Sequence, residues 1–273
     1  GAKLLQKLRA DDIEAWHGIL RTNGRADGKG GLAPRTIGHA HRVLGKALRN
    51  AVRFDIVTKN VTGLQVAPKV DDAEMVIVQD VPVLIERLRE HRLFPLGMIA
   101  LFTGMRIGEV LALRWGRVDL DRKVIEAREA LEETKEHGVR FKAPKTRAGR
   151  GDITMPDVLV DVLRDLRKSR LEFQMALGLG KLPEDAMLFA EPDGALPSQK
   201  YYSKAWSDLG VGVPFHALRH THASQLIDAD VDIVTISKRL GHAKPDITLR
   251  IYAHLFRKDD SKAAAAINAA FNG

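Results

Sequence analysis

Cysteine is absent from this 273-residue chain, which excludes disulfides and thiolate-held metal sites and fits a reducing cytosol. No run of about 18 apolar residues occurs, so the sequence offers no membrane-spanning helix. Residues 1–7 (GAKLLQK) are too short and too charged to read as a signal peptide. There is no internal repeat. Acids are scarce in one region only. Residues 1–70 hold five of them against thirteen Lys and Arg, a surplus of eight that equals the net charge of the whole chain. Beyond residue 70 the two signs cancel. Such an asymmetry points to a polyanion-binding module joined to a larger, balanced domain. A linker at 67–73, with Pro68 and two adjacent aspartates, separates the two.

Periodicity predicts a helix over 36–54, with Ile37, Ala40, Leu44, Ala47 and Ala51 forming one apolar stripe. At 100° per residue, Arg42, Lys46, Arg49 and Arg53 fall on the opposite face. A solvated charged face is the ordinary outcome for a helix. This one has no acid at i+4 to pair with, which favours phosphate contact instead, and Arg35 in the same segment joins the set. Upstream, 23–31 is a polar, glycine-rich, basic loop, and 10–20 reads as a short helix opening at Asp11 or Asp12 as N-cap. After the linker come helical patterns at 78–91, 95–103 and 106–115, then a β-rich patch at 123–128, 139–143 and 152–155. Helices resume at 156–177 and continue, between loops, to the C-terminus. The expected class is mainly α (α+β): a helical domain over 1–70, and over 71–273 a mostly helical domain with a small antiparallel β-sheet. The tail 261–271 (SKAAAAINAAF) is a strong helix former, with Ser261 placed to cap it and Ala264, Ile267 and Phe271 on one small apolar face.

Four short strings carry candidate chemistry: TGMRIGE at 103–109, APKTRAGRG at 143–151, HALRHTHAS at 216–224 and LGHAKPDITLRIYAHL at 240–255. Taken alone, Arg106 is an ordinary surface charge. Gly104 and Gly108 beside it each cost about 1 kcal/mol of helix propensity, however, and glycines at a helix start let a backbone or a phosphate come close. His216 and His220, at i and i+4, could share a metal ion, whereas His220 and His222 point about 200° apart. No acid or cysteine nearby completes a ligand set, so His220 and His222 read as packed or hydrogen-bonded histidines.

In their order (Arg, then Lys, then His-x-x-Arg, then Gly-His, then Tyr ten residues on) the strings resemble the catalytic core of the tyrosine recombinase, or phage integrase, family. The likeness runs from about residue 78 to 256, and the basic segment before it resembles that family's core-binding domain. The first helix of a complete core-binding domain and the arm-binding domain many integrases carry are not found, so the sequence is expected to be truncated at its N-terminus.

The resemblance implies a site-specific recombinase that joins Tyr252 to the 3′ side of a scissile phosphate and releases a 5′-hydroxyl. Arg106 and Arg219 would hold the nonbridging oxygens, a task suited to the planar guanidinium. Lys145 would protonate the leaving oxygen, with Lys142 the next candidate and Lys135 on the same hairpin region. His216 would help deprotonate Tyr252 or orient the phosphate, His242 would donate a further hydrogen bond, and Glu109 would restrain Arg106. With this positive charge no metal or other cofactor is implied. The implied partners are double-stranded DNA at core recombination sites, three further copies in a tetramer linked by an exchanged helix at 261–271, and DNA-bending accessory proteins. The implied location is the cytoplasm, with the nucleoid of a bacterial host. The rivals are a type IB topoisomerase, which uses similar residues without recombination, and a catalytically silent DNA-binding protein of the same fold.

Overall fold

The computed structural model describes residues 3–65, 75–142, 151–190, 195–256 and 261–271. Two compact units are present, one within residues 1–74 and one within residues 75–273.

The first unit packs α1 (Ala10–Asn23) and α2 (Pro34–Arg53) with a 3-10 turn at Val61–Leu64. Its core is small: Ile13, Leu48 and Val61, with Leu8, Trp16 and Leu44 packed against them. Pro34 starts α2 two residues before the predicted position, since proline suits a first turn where no N–H partner is required. The buried stripe is Ile37, Gly38, Gly45, Leu48 and Ala51, while Ala47 is exposed. Alanine tolerates either environment, so its place in the stripe was the weakest part of the pattern. The cap of α1 is Arg9, not an aspartate. Asp12 sits one turn in, where its carboxylate accepts the Arg9 backbone N–H at 2.8 Å. Arg35, Arg42, Lys46, Arg49 and Arg53 are all exposed. The ion pairs described in this unit, Lys3–Asp12 and Arg25–Asp27, involve none of them.

The second unit is organised by α4 (Phe94–Thr103), preceded by α3 (Val81–Leu88) and followed by α5 (Ile107–Leu111). Apolar almost throughout, α4 is buried from Leu96 to Leu101, as expected of a central helix. Onto it pack α6 (Asp157–Ala176) and α8 (His216–Asp228). The predicted helix over 106–115 ends early because the chain turns extended and Arg114 bridges Met187.

The β region forms two antiparallel sheets. β1 (Val118–Asp119), β2 (Val124–Ala127) and β5 (Gly151–Thr154) lie in the order β1-β2-β5, with buried Ile125 opposite Ile153. β3 (Ala130–Thr134) and β4 (Gly138–Lys142) make a separate hairpin. The remaining helices are α7 (Gln199–Asp208), α9 (Ile233–Arg239), α10 (Pro245–Tyr252) and α11 (Ser261–Phe271). On α11, Ala264 is exposed, as are Ile267 and Phe271 at 59% and 82%, so its small apolar face is uncovered among the described residues. No helix among the described residues is long and apolar enough to cross a membrane.

Candidate active site

The turn after α4 delivers Arg106. Gly104 closes the helix in the left-handed region, at φ 70°. A Cβ there would lie 2.7 Å from Leu240 Cδ2 and 2.8 Å from His222 Cδ2, so both conformation and space require glycine. At Gly108 a Cβ would come within 2.5 Å of the Leu131 carbonyl and Gln199 Nε2. Both glycines therefore admit protein neighbours. Arg106 caps α5, where the Glu109 carboxylate accepts its backbone N–H at 2.8 Å and its guanidinium N–H at 2.9 Å. One acid thus caps the helix and fixes the direction of the arginine.

Helix α8 carries His216 exposed at its first position and Arg219 buried one turn on, at 3% exposure. Arg219 donates to the carbonyls of Gly104 (2.5 Å) and Leu240 (2.6 Å) and to His242 Nε2 (2.9 Å). Burial, reinforced by Arg106, lowers its pKa to about 10, so it remains cationic at neutral pH. Gly241, at φ 64°, turns the chain after α9 to bring His242 into this contact. A guanidinium has no lone pair, so His242 Nε2 must accept. Its Nδ1 then carries the proton and donates to Thr248 Oγ1 at 2.7 Å. Both ring nitrogens are occupied within the protein. The hydrogen bond that His242 was expected to donate goes to Thr248 Oγ1 in this arrangement.

His222 repeats the pattern. Its Nδ1 donates to the Leu101 carbonyl and its Nε2 accepts from Arg239 Nε. Arg239 also reaches the carbonyls of Phe102 and Thr154, tying α4, α8, α9 and β5 together.

Tyr252 ends α10 and is 1% exposed. Its hydroxyl lies 2.9 Å from His220 Nδ1, and the two rings meet edge-to-face. Burial raises the phenol pKa, opposed by the positive charges of Arg219 and Arg106. His216 stands edge-on to His220 with ring centroids 4.7 Å apart. The histidine on the tyrosine hydroxyl is thus His220, while His216, expected either to help deprotonate Tyr252 or to orient the phosphate, meets the His220 ring and lines the cleft beside Arg106. The one sequence signal for this was the i, i+4 spacing that puts both histidines on one face of α8.

Arg106, Glu109, His216, Arg219, His242 and Tyr252 are all brought together, through contacts or through the charges each feels. Lys145 lies outside the described residues. Lys142 is paired with Glu132, and both line a cleft of about 920 Å³ with Arg106, Glu109 and His216.

Burial first, then neighbouring positive charges, hold His220, His222 and His242 at about 4, below the usual 6.5. Depressed folded-state values mean that their stabilisation is complete above pH 6.5 and is lost as pH falls toward 4. Urea unfolding of the second unit should therefore shift to lower midpoints across that window. His222→Gln, which can still accept from Arg239, should remove up to about 1.4 kcal/mol per pH unit of the slope. A slope unchanged by that substitution would show that His222 does not contribute to it.

The phage integrase family model matches residues 80–259, well over half of the chain. A XerC-like tyrosine recombinase of Caldanaerobacter subterraneus is 29% identical over 208 residues, 71% of this chain and 53% of that protein. The ICEBs1 integrase of Bacillus subtilis is 30% identical over 166 residues, 58% of this chain and 44% of that protein. The chain spans about half the length of these curated relatives. In fold it is similar to the Tn1549 transposon integrase solved with transposon right end DNA. The TM-score is 0.76 at 21% identity, covering all of this chain and 88% of that one. It is also similar to a lambda integrase dimer bound to a core site, with a TM-score of 0.57 at 16% identity, covering 90% of this chain and 80% of that one. The stretch matched by the family model contains every residue of the cluster built around Tyr252, and this chain belongs to the phage integrase family.

Proposed function

We propose that the chain cuts and rejoins DNA as a tyrosine site-specific recombinase, with Tyr252 as nucleophile. The observation that carries this is a buried tyrosine hydroxyl hydrogen-bonded to a neutral histidine, within the field of two arginines. Tyr252 attacks the scissile phosphate and becomes joined to its 3′ side. Arg106 and Arg219 neutralise the nonbridging oxygens. Among the described residues, Arg219 keeps its Nε–H and one Nη1–H free for this. Lys145 donates the proton to the departing 5′ oxygen, since Lys142 is engaged by Glu132. The covalent bond conserves the phosphodiester energy, so rejoining requires no ATP. Exchange of both strand pairs passes through a Holliday junction and integrates or excises a phage or mobile element.

In the same proposal, two core sites are held by a homotetramer near the nucleoid, α11 is the exchanged helix, and accessory proteins bend the DNA. The uncovered apolar face of α11 supports such an exchange. Relatives named as recombinase and integrase, and the DNA-bound Tn1549 and lambda integrases, support the reaction class. The test uses nicked duplexes tiled across the DNA flanking the coding sequence, followed by denaturing electrophoresis. Protein covalently attached to one tile is the expected result, and none on any tile would remove the proposal.

The basic face of α2, which joins no ion pair among the described residues, is assigned to the DNA backbone. Neutralising Arg42, Lys46, Arg49 and Arg53 together should weaken binding and make it less sensitive to salt. The log–log slope should flatten by up to about 0.9 for each phosphate the face no longer neutralises. An unchanged slope would leave that face as solvated surface, with Arg35 to be tested next.

A further inference from the structure

We propose that His220 is the base that takes the Tyr252 proton during strand cleavage and returns it during rejoining. The assignment deepens the strand-cleavage proposal and rests on it. Its ground is geometric. Nδ1 of His220 lies 2.9 Å from the tyrosine oxygen, a distance suited to direct proton transfer. No hydrogen bond from His216 to that oxygen is found among the described residues. His216 meets the ring of His220, feels the charges of Arg219 and Arg106, and lines the cleft beside Arg106. The two histidines therefore divide the work: His216 faces the phosphate side and His220 faces the nucleophile.

The hydrogen bond also has a direction. A neutral imidazole is a better acceptor than a phenol oxygen, and a phenol O–H is a better donor than an imidazole N–H. The pair therefore settles with Tyr252 donating to Nδ1 and the His220 proton on Nε2. The groups that act on His220 are His216 and Arg219, which together with burial keep it neutral. Arg219 and Arg106 both act on Tyr252. A phosphodiester seated on the two arginines adds a negative charge beside this cluster and offsets the positive field that weakens the base. Proton acceptance is thereby favoured when DNA is in place, and the free protein keeps its nucleophile as a neutral phenol.

The step balances. The O–H bond of Tyr252 breaks and its proton passes to Nδ1 as the tyrosine oxygen forms its bond to phosphorus. The bond from phosphorus to the 5′ oxygen breaks, and that oxygen takes its proton from the acid assigned to Lys145. In rejoining, a 5′-hydroxyl gives its proton back to the acid assigned to Lys145 as its oxygen bonds to phosphorus, the bond from phosphorus to tyrosine breaks, and the imidazolium returns its proton to Tyr252.

Single-turnover cleavage of the nicked tile that traps wild-type protein tests the proposal across pH. His220→Gln can keep a hydrogen bond but cannot take the proton. It should bind DNA normally, lose about 10²- to 10⁴-fold in cleavage rate, and lose the rising limb of the pH profile. His216→Gln should keep that limb. A second measurement needs no variant at position 220 and no DNA. The ¹⁵N shift of Nδ1 in the full-length protein should report an unprotonated acceptor, and should change in Tyr252→Phe. Wild-type rate and limb in His220→Gln, or a protonated Nδ1 in the free protein, would overturn the proposal while leaving strand cleavage standing. Absence of any wild-type adduct would instead remove strand cleavage itself.

Discussion

Tyr252→Phe is expected to abolish the covalent protein–DNA complex while leaving DNA binding intact. The substitution removes a single oxygen from a side chain that is 1% exposed, so the ring and its packing against Ala223, Ile227, Ile236 and Leu240 are retained. The loss is one hydrogen bond, to His220, which contributes about 0.5–1.5 kcal/mol to stability. The arginines assigned to the phosphate are untouched, and so is the basic face of α2. Binding measured by titration on the trapping tile should match wild type, and the slow band on a denaturing gel should vanish. The other two tyrosines make poor substitutes. Tyr202 is buried against Phe189, and Tyr201 is occupied by Arg92, whose guanidinium lies over its ring and donates to its hydroxyl at 2.7 Å. An adduct persisting in the Phe variant would place the nucleophile elsewhere and end the assignment of Tyr252.

What the sequence made legible depended on how far each signal reached along the chain. The apolar run of α4 and the basic face of α2 are local patterns and can be read from composition and spacing. Strand β3, with the sequence ALEET, was missed because alanine and glutamate favour helix. Pairing with β4 overrides that preference, and Glu132 is held by Arg140 and Lys142 across the hairpin. The motif strings identified the residues that gather around Tyr252 but not their contacts. His220 meets Tyr252 across 32 residues, and Arg219 meets Gly104 across 115. These distances close only when the left-handed turns at Gly104 and Gly241 set the paths of the connecting segments. Linear spacing carries no record of such turns. For that reason spacing left open whether His216 serves the tyrosine or the phosphate, and it foresaw neither the contact of His220 with Tyr252 nor the internal partners of His242.

Arg219 is expected to give the other large loss, and for two separable reasons. Arg219→Ala removes a buried cation whose three donated hydrogen bonds satisfy the Gly104 and Leu240 carbonyls and His242 Nε2. Each acceptor left unpaired in the interior costs about 1–3 kcal/mol, so the variant should melt well below wild type. It also loses the charge that stabilises the phosphoryl transition state, a defect of at least about 10²- to 10³-fold in such sites. Arg219→Lys separates the two effects. Its ammonium keeps a positive charge and three donors, but it is a single point that cannot span three acceptors set around a planar fork. The Lys variant should therefore recover part of the stability and little of the cleavage. The decisive comparison is made on protein shown to be folded at the assay temperature, with adduct formation read beside the melting curve. With the guanidinium gone, His242 Nε2 also loses the donor that fixes its tautomer, so its pKa should rise from about 4 toward the ordinary range. That rise can be followed by the proton NMR titration of the histidine rings, whether or not DNA is present. Full cleavage in Arg219→Lys would mean that charge alone is needed at this position. An unmoved His242 titration would mean that the contact between Arg219 and His242 does not set its protonation.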